Sequence, residues 1–284
     1  MKTDNRFRNI SVTIIAGWLS IFALFAFLLV FFTSFMLPDP DKIFNFHFTL
    51  TNYTTLFSSL YVIVFLKSFY IAGLCSFFCV LLGYPFAYIL ARKTDKWKDL
   101  LLLLLIIPFW TSSLIRSYAM VAILKTKGVL NTLLMHLGLI HHPLQLLFTN
   151  TAVMIGLVYN LLPFMILPLY ANLEKFDNRL IEAAWDLGAT KFTTFTKVIL
   201  PLSLPGIVAG TILVFLPAMT LFYIPDLLGG AKSLLLGNLI ENQFLLTHNW
   251  PLGSAISVTL TIIMALMLVA HWLSSKNRNE GGFV

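Results

Sequence analysis

The side chains of this 284-residue sequence best suited to chemistry are a few carboxylates and aromatic rings in very apolar surroundings. Phe222, Tyr223 and Asp226 stand together in a stretch interrupted by Pro217 and Pro225 and followed by Gly229 and Gly230. Tyr223 and Asp226 are three residues apart, so on a helical backbone they share a face. An ammonium group held there would meet a ring face and a carboxylate, the ring contact alone being worth about 0.5 to 2 kcal/mol. Proline and glycine on either side suit a segment that moves, which makes these residues, with Glu241 further along, a candidate substrate path or gate. A second role fits the same side chains: Asp226 as a helix cap, with Phe222 and Tyr223 anchored at a membrane interface. Glu241, in the polar patch Glu241 to Gln243, equally suits a solvated charge.

Catalytic patterns are missing. The apolar runs contain no HExxH, no Ser-His pair and no paired aspartates, and no GxxxxGK[ST] phosphate loop occurs anywhere, so no catalytic residue and no bound cofactor are assigned to this chain. His136, His141 and His142 lack metal-ligand spacing, and no metal site is expected. Cys75 and Cys79, at i and i+4 inside an apolar run, suit helix packing rather than redox chemistry.

The elements that must carry these residues follow from composition. Hydrophobic residues make up 58%, charged residues 11%, and the mean hydropathy is +0.87, whereas soluble domains carry about 25% charged residues. A soluble enzyme, a nucleic-acid-binding module and a disordered chain are excluded, leaving an all-α membrane protein. A span needs roughly 20 apolar residues. Six runs qualify, at about 13 to 36, 64 to 91, 99 to 122, 150 to 172, 202 to 225 and 253 to 273, and they read as one membrane domain over 1–284. Most of the 19 Lys and Arg residues fall on the side of the termini, so both termini are expected in the cytoplasm and the net charge of +7 needs no nucleic-acid partner. Outward segments at about 37 to 63, 123 to 149 and 226 to 252 have room for short interfacial helices. Arg116 and Lys67 fall toward the outer ends of their spans. There they are expected to snorkel or to pair with an acid of another subunit rather than line a path.

The large cytoplasmic loop, about 173 to 201, contains EAAWDLGATKFTTFTKVILPLSLPG from Glu182 to Gly206. Asp177 or Asn178 can cap a short helix that ends at Gly188, a residue able to take the left-handed conformation. A second helix is expected after it, with Phe192, Phe195 and Ile199 as its apolar stripe and Pro201 introducing the next span. Two short helices around a glycine, with the small Ala183 and Ala184 on the first, suit either docking to another protein or a connector at the membrane surface.

The spacing EAA, three residues, Gly, nine residues, an apolar β-branched residue, one residue, Leu-Pro is met by Glu182, Ala183, Ala184, Gly188, Val198, Leu200 and Pro201. It resembles the signature of the permease subunits of ATP-binding-cassette importers, with Val198 in place of Ile. LGYPFAYILAR at 82–92, IPFWTSSLIRSYA at 107–119, GLVYNLLPFMILPLY at 156–170 and LPAMTLFYIPDLLGGAK at 216–232 look like the spermidine/putrescine branch of that family. The resemblance implies the type I importer permease fold in a bacterial inner membrane and a non-enzymatic subunit. The implied partners are a second permease, a cytoplasmic ATPase dimer that binds ATP and Mg, and an extracytoplasmic polyamine-binding protein. It also implies that Glu182, Ala183, Ala184 and Gly188 couple the chain to that ATPase. A permease for another solute, such as an iron complex, sulfate or a sugar, carries the same coupling signature.

Overall fold

The computed structural model describes residues 5–39, 45–177, 179–230 and 234–280. Asp41, Lys42, Asn178 and Lys232 lie outside them. In chain order the elements are α1 (Asn5–Leu19), α2 (Phe25–Thr33), β1 (Met36–Leu37), β2 (Asn45–Phe48), α3 (Thr51–Leu56), α4 (Ser59–Ala91), α5 (Asp95–Ile106) and α6 (Ser113–Leu124). They continue with α7 (Val129–His136), α8 (Asn150–Glu174), α9 (Arg179–Asp186), α10 (Lys191–Thr194), α11 (Leu200–Thr220), α12 (Leu236–Glu241) and α13 (Trp250–Glu280).

Among the described residues, five helices are long and apolar enough to cross a membrane, and a bent pair makes a sixth if it is counted as one span. The third expected span is therefore not one rod: its halves, Lys96–Trp110 and Ser113–His136, meet at 93°. Pro108 accounts for the break, since it offers no amide hydrogen to continue the α-helix. A 3-10 turn covers Ile107–Trp110, and Thr111 is extended at φ −90°, ψ 145°. The Pro108 carbonyl accepts from both the Thr111 amide at 3.3 Å and the Thr111 hydroxyl at 2.7 Å, which closes the turn.

The chain forms two compact units. One comprises residues 63–238 and is built on α8 and α11, which lie along each other. Small residues permit that approach: a Cβ at Gly210 would crowd the Met165 sulfur at 2.6 Å and the Met165 carbonyl oxygen at 3.1 Å. Met165, Ile166 and Leu169 of α8 and Val214 and Met219 of α11 are sealed from solvent. Tyr84 of α4 reaches Ser203 of α11 at 3.1 Å. Cys75 and Cys79 are free and fully buried, as packing residues would be.

The other unit comprises residues 1–62 and 239–284, where α13 packs on α2 and α3. Asn52 donates to the Ser34 and Met36 carbonyls at 2.9 and 2.8 Å, fixing the turn between α2 and an antiparallel β1–β2 pair that hydropathy does not announce. In the most apolar stretch of Ser11–Thr33 no residue is buried. The segments expected to face outward do carry short helices, α3, α7 and α12.

A candidate gate, an aromatic box and a coupling loop

The fifth span ends earlier than hydropathy indicates. α11 stops at Thr220, Leu221 turns extended at φ −65°, ψ 109°, and Asp226 sits in a separate π-helical turn, Pro225–Gly229. Phe222 and Tyr223 meet edge to face at 5.9 Å. The Tyr223 hydroxyl donates to the Ser113 hydroxyl oxygen of α6 at 3.0 Å. The exposed Asp226 carboxylate accepts from the Asn238 side-chain amide, which also donates to the Phe222 carbonyl at 2.8 Å. Asn238 is itself buried, and its own oxygen accepts from the Leu235 amide at 3.3 Å. The neighbouring Leu236 amide donates to Ser68 of α4 at 2.9 Å. Glycine at 237 lets α12 pack directly on the end of α11, because a Cβ there would overlap the Thr220 carbonyl oxygen.

The structure thus gathers Phe222, Tyr223 and Asp226 into one hydrogen-bonded segment, with the Tyr223 hydroxyl and the Asp226 carboxylate directed to different partners. Glu241, half-exposed at the end of α12, falls in the other unit. Asn238, Ser68 and Ser113 are the residues that sequence reading misses. Their only signal is a small polar side chain in an apolar or glycine-rich setting, and the partners that give them a role are far away in the chain.

Arg116 also departs from expectation. It is half-buried, with its guanidinium carbon 5.2 Å from the Phe109 ring centre and 5.9 Å from that of Tyr159. Phe164 abuts Phe109 edge-on at 5.3 Å. The Arg116 Nε and the Asn160 Oδ1 are buried and meet no hydrogen-bond partner among the described residues. Trp110, by contrast, is 79% exposed. Lys67 lines an apolar groove of about 840 Å³ between α4 and α8, together with Tyr70, Phe78, Leu82, Asn150 and Leu162.

At the other end of these helices the EAA segment forms the expected short helix. The Asp177 carboxylate accepts from the Arg179 amide at 3.0 Å, and the Ile181 side chain is buried while Glu182 and Ala183 are exposed and Ala184 is half-exposed. The helix closes with two nested bonds: the Gly188 amide donates to the Trp185 carbonyl at 2.8 Å and the Ala189 amide to the Ala184 carbonyl at 3.0 Å. Gly188 takes φ +80°, a conformation costly for a residue with a Cβ. Leu187 is 88% exposed and Trp185 is exposed beside it, an apolar tip that nothing among the described residues covers. The second helix differs from expectation. Lys191–Thr220 is one continuous helix through Pro201, with a π-helical turn at Phe195–Ile199 just ahead of the proline. Of the expected stripe, Ile199 is buried and Phe195 meets Tyr84 at 5.8 Å, but Phe192 is 76% exposed.

Residues 83–279, a segment that holds the EAA loop, Phe222, Tyr223 and Asp226, and Arg116 with its rings, match the family described as binding-protein-dependent transport system inner membrane component. The chain belongs to this family. Its relatives include the spermidine/putrescine transport system permease protein PotB of Haemophilus influenzae, 50% identical over 98% of this chain and 97% of that protein. PotB of Escherichia coli strain K12 is 51% identical over 95% and 98%. A more distant relative, the inner membrane ABC transporter permease protein YdcU of the same organism, is 34% identical over 78% and 74%. Among solved structures, a chain of a bacterial ABC transporter that imports the acidic polysaccharide alginate superposes with a TM-score of 0.74 at 17% identity, covering 96% of this chain and 99% of that one. The fold is therefore that of ABC importer permeases, and the protein is a multi-pass transport component of the inner membrane. The EAA spacing over 182–188 acquires a context it lacks as a bare motif: a capped helix with an exposed apolar tip, in a chain of the transporter family.

Proposed function

We propose that this chain is one permease subunit of an ATP-driven importer of polyamines, spermidine or putrescine. The observation that carries the reading is the near-full-length identity of about one half to PotB proteins. The geometry supports it: an exposed carboxylate, Asp226, lies in the same hydrogen-bonded segment as the Phe222 and Tyr223 rings. Carboxylate and ring face are the two groups that bind an alkylammonium well. In this reading the chain pairs with a second permease, and both termini face the cytoplasm. An extracytoplasmic binding protein delivers the polyamine, and a separate cytoplasmic ATPase dimer binds ATP and Mg and performs the hydrolysis. The helix carrying Glu182, Ala183 and Ala184 and capped at Gly188 docks with its apolar tip in a groove of that ATPase. Phe222, Tyr223, Asp226 and Glu241 handle the substrate on its way in.

The test is uptake of labelled spermidine by cells lacking their own polyamine import, supplied with this subunit and its co-expressed partners. ATP-dependent uptake blocked by putrescine but not by sulfate or maltose is expected. A complex that assembles and hydrolyses ATP yet takes up no polyamine would refute the substrate assignment.

A further inference from the structure

We propose that the Arg116 guanidinium is a resident occupant of an ammonium site. It rests in an aromatic box formed by Phe109 and Tyr159, and that box receives one ammonium group of the substrate when Arg116 leaves. The inference rests on the polyamine reading above. Both ring centres lie within the roughly 6 Å over which a cation is attracted to a ring face. The rings come from two places, the 3-10 turn Ile107–Trp110 and α8, and Phe164 braces the first of them.

What holds Arg116 there is unusual. A charged side chain in a span is ordinarily paired, since leaving it alone near the bilayer centre costs at least about 2.5 kcal/mol. Among the described residues no carboxylate pairs with Arg116, and its Nε is buried without an acceptor. The attraction on the guanidinium is that of two ring faces, a hold that a free alkylammonium group can match. The box is also reachable, because Tyr159 is 43% exposed and Arg116 is half-exposed.

Its position ties it to the gate. Ser113, one turn before Arg116 on α6, receives the Tyr223 hydroxyl, so Arg116 and the anchor of the gate segment share one face of a single helix. A linear polyamine carries more than one ammonium group, and Asp226 and the box offer a separate acceptor for each. While Arg116 occupies the rings, its charge repels a second cation, so the box opens only when the guanidinium swings out.

The test is equilibrium binding of labelled spermidine to the purified permease–ATPase complex without the binding protein. Arg116→Gln removes the competing cation and leaves the rings. It is expected to bind spermidine about tenfold more tightly than the unaltered complex, the effect of losing a competitor held by one to two ring contacts. Equal or weaker binding by Arg116→Gln, or no binding by either complex, overturns the box. The uptake experiment above decides the polyamine reading separately. Phenylglyoxal modification of Arg116 in the unaltered complex, located by mass spectrometry, covers the case in which the variant does not assemble. Saturating spermidine is expected to raise it several-fold, and an unchanged extent overturns the proposal.

Discussion

Asn238→Asp is the substitution that most directly tests how the gate segment is held. It changes one nitrogen to oxygen and leaves shape and volume almost intact, so packing around α12 should not register it. What changes is the sign of two contacts. The Asn238 amide donates to the Asp226 carboxylate and to the Phe222 carbonyl, and an aspartate would present an acceptor to both. The bond to the carboxylate is charge-assisted and contributes about 1.5 to 3 kcal/mol, the bond to the carbonyl about 1 kcal/mol. Repulsion between the facing oxygens adds to their loss, so a cost of about 3 kcal/mol or more is expected at this buried position. Thermal unfolding of the purified complex, followed by intrinsic fluorescence, should show a clear decrease for Asn238→Asp. The double variant Asp226→Asn with Asn238→Asp restores a donor opposite an acceptor, and should recover the part due to the carboxylate but not the part due to Phe222. An unfolding temperature equal to that of the unaltered complex, or strictly additive effects in the double variant, would refute the network.

Four further outcomes follow from the same geometry. Asp226→Asn should lower polyamine uptake by tenfold or more while co-purification with the partner subunits stays unchanged. Gly237→Ala sets a methyl group against the Thr220 carbonyl and should destabilise the end of α11, seen as faster protease cleavage between residues 221 and 235. Leu187→Asp removes the exposed apolar tip; fully burying a leucine contributes about 1.5 to 3 kcal/mol, so ATPase retention should fall about ten- to a hundred-fold in dilution pull-downs. Gly188→Ala meets no neighbouring atom within 4 Å, so any loss of coupling between ATP hydrolysis and uptake reports the left-handed backbone alone. Gly188→Asn, which tolerates that conformation better, should be the milder change.

Much of this architecture is legible in one dimension because it is driven by local and periodic terms. Long apolar runs must become helices in a bilayer, and Gly188 and Asp177 cap the α9 helix by bonds to residues only two or three positions away. The misreadings have a common cause, which is that hydropathy averages over a window while backbone hydrogen bonding is decided residue by residue. The break at Pro108 disappears within an apolar run, although proline and the following Thr111 and Ser112 mark it. Conversely, Pro201 suggests a boundary, yet it stands at the second position of α11, behind the π-helical turn, and no break follows. Asn238 and Arg116 were beyond reach for another reason. Their partners, Asp226 and Phe222 for one and Tyr159 for the other, are brought close by tertiary packing, and no spacing rule encodes that.

The unbroken helix Lys191–Thr220 makes the molecule mechanically simple. Its 30 residues span about 45 Å at about 1.5 Å per residue, with the EAA loop at one end and the Gly237 contact at the other. A tilt of about 5° around its midpoint displaces each tip by about 2 Å. Hydrogen bonds survive only a few tenths of an ångström of stretch. Under the coupling proposed above, a small rotation at the loop would reach the Asn238 bonds through this one helix and the short segment that follows it.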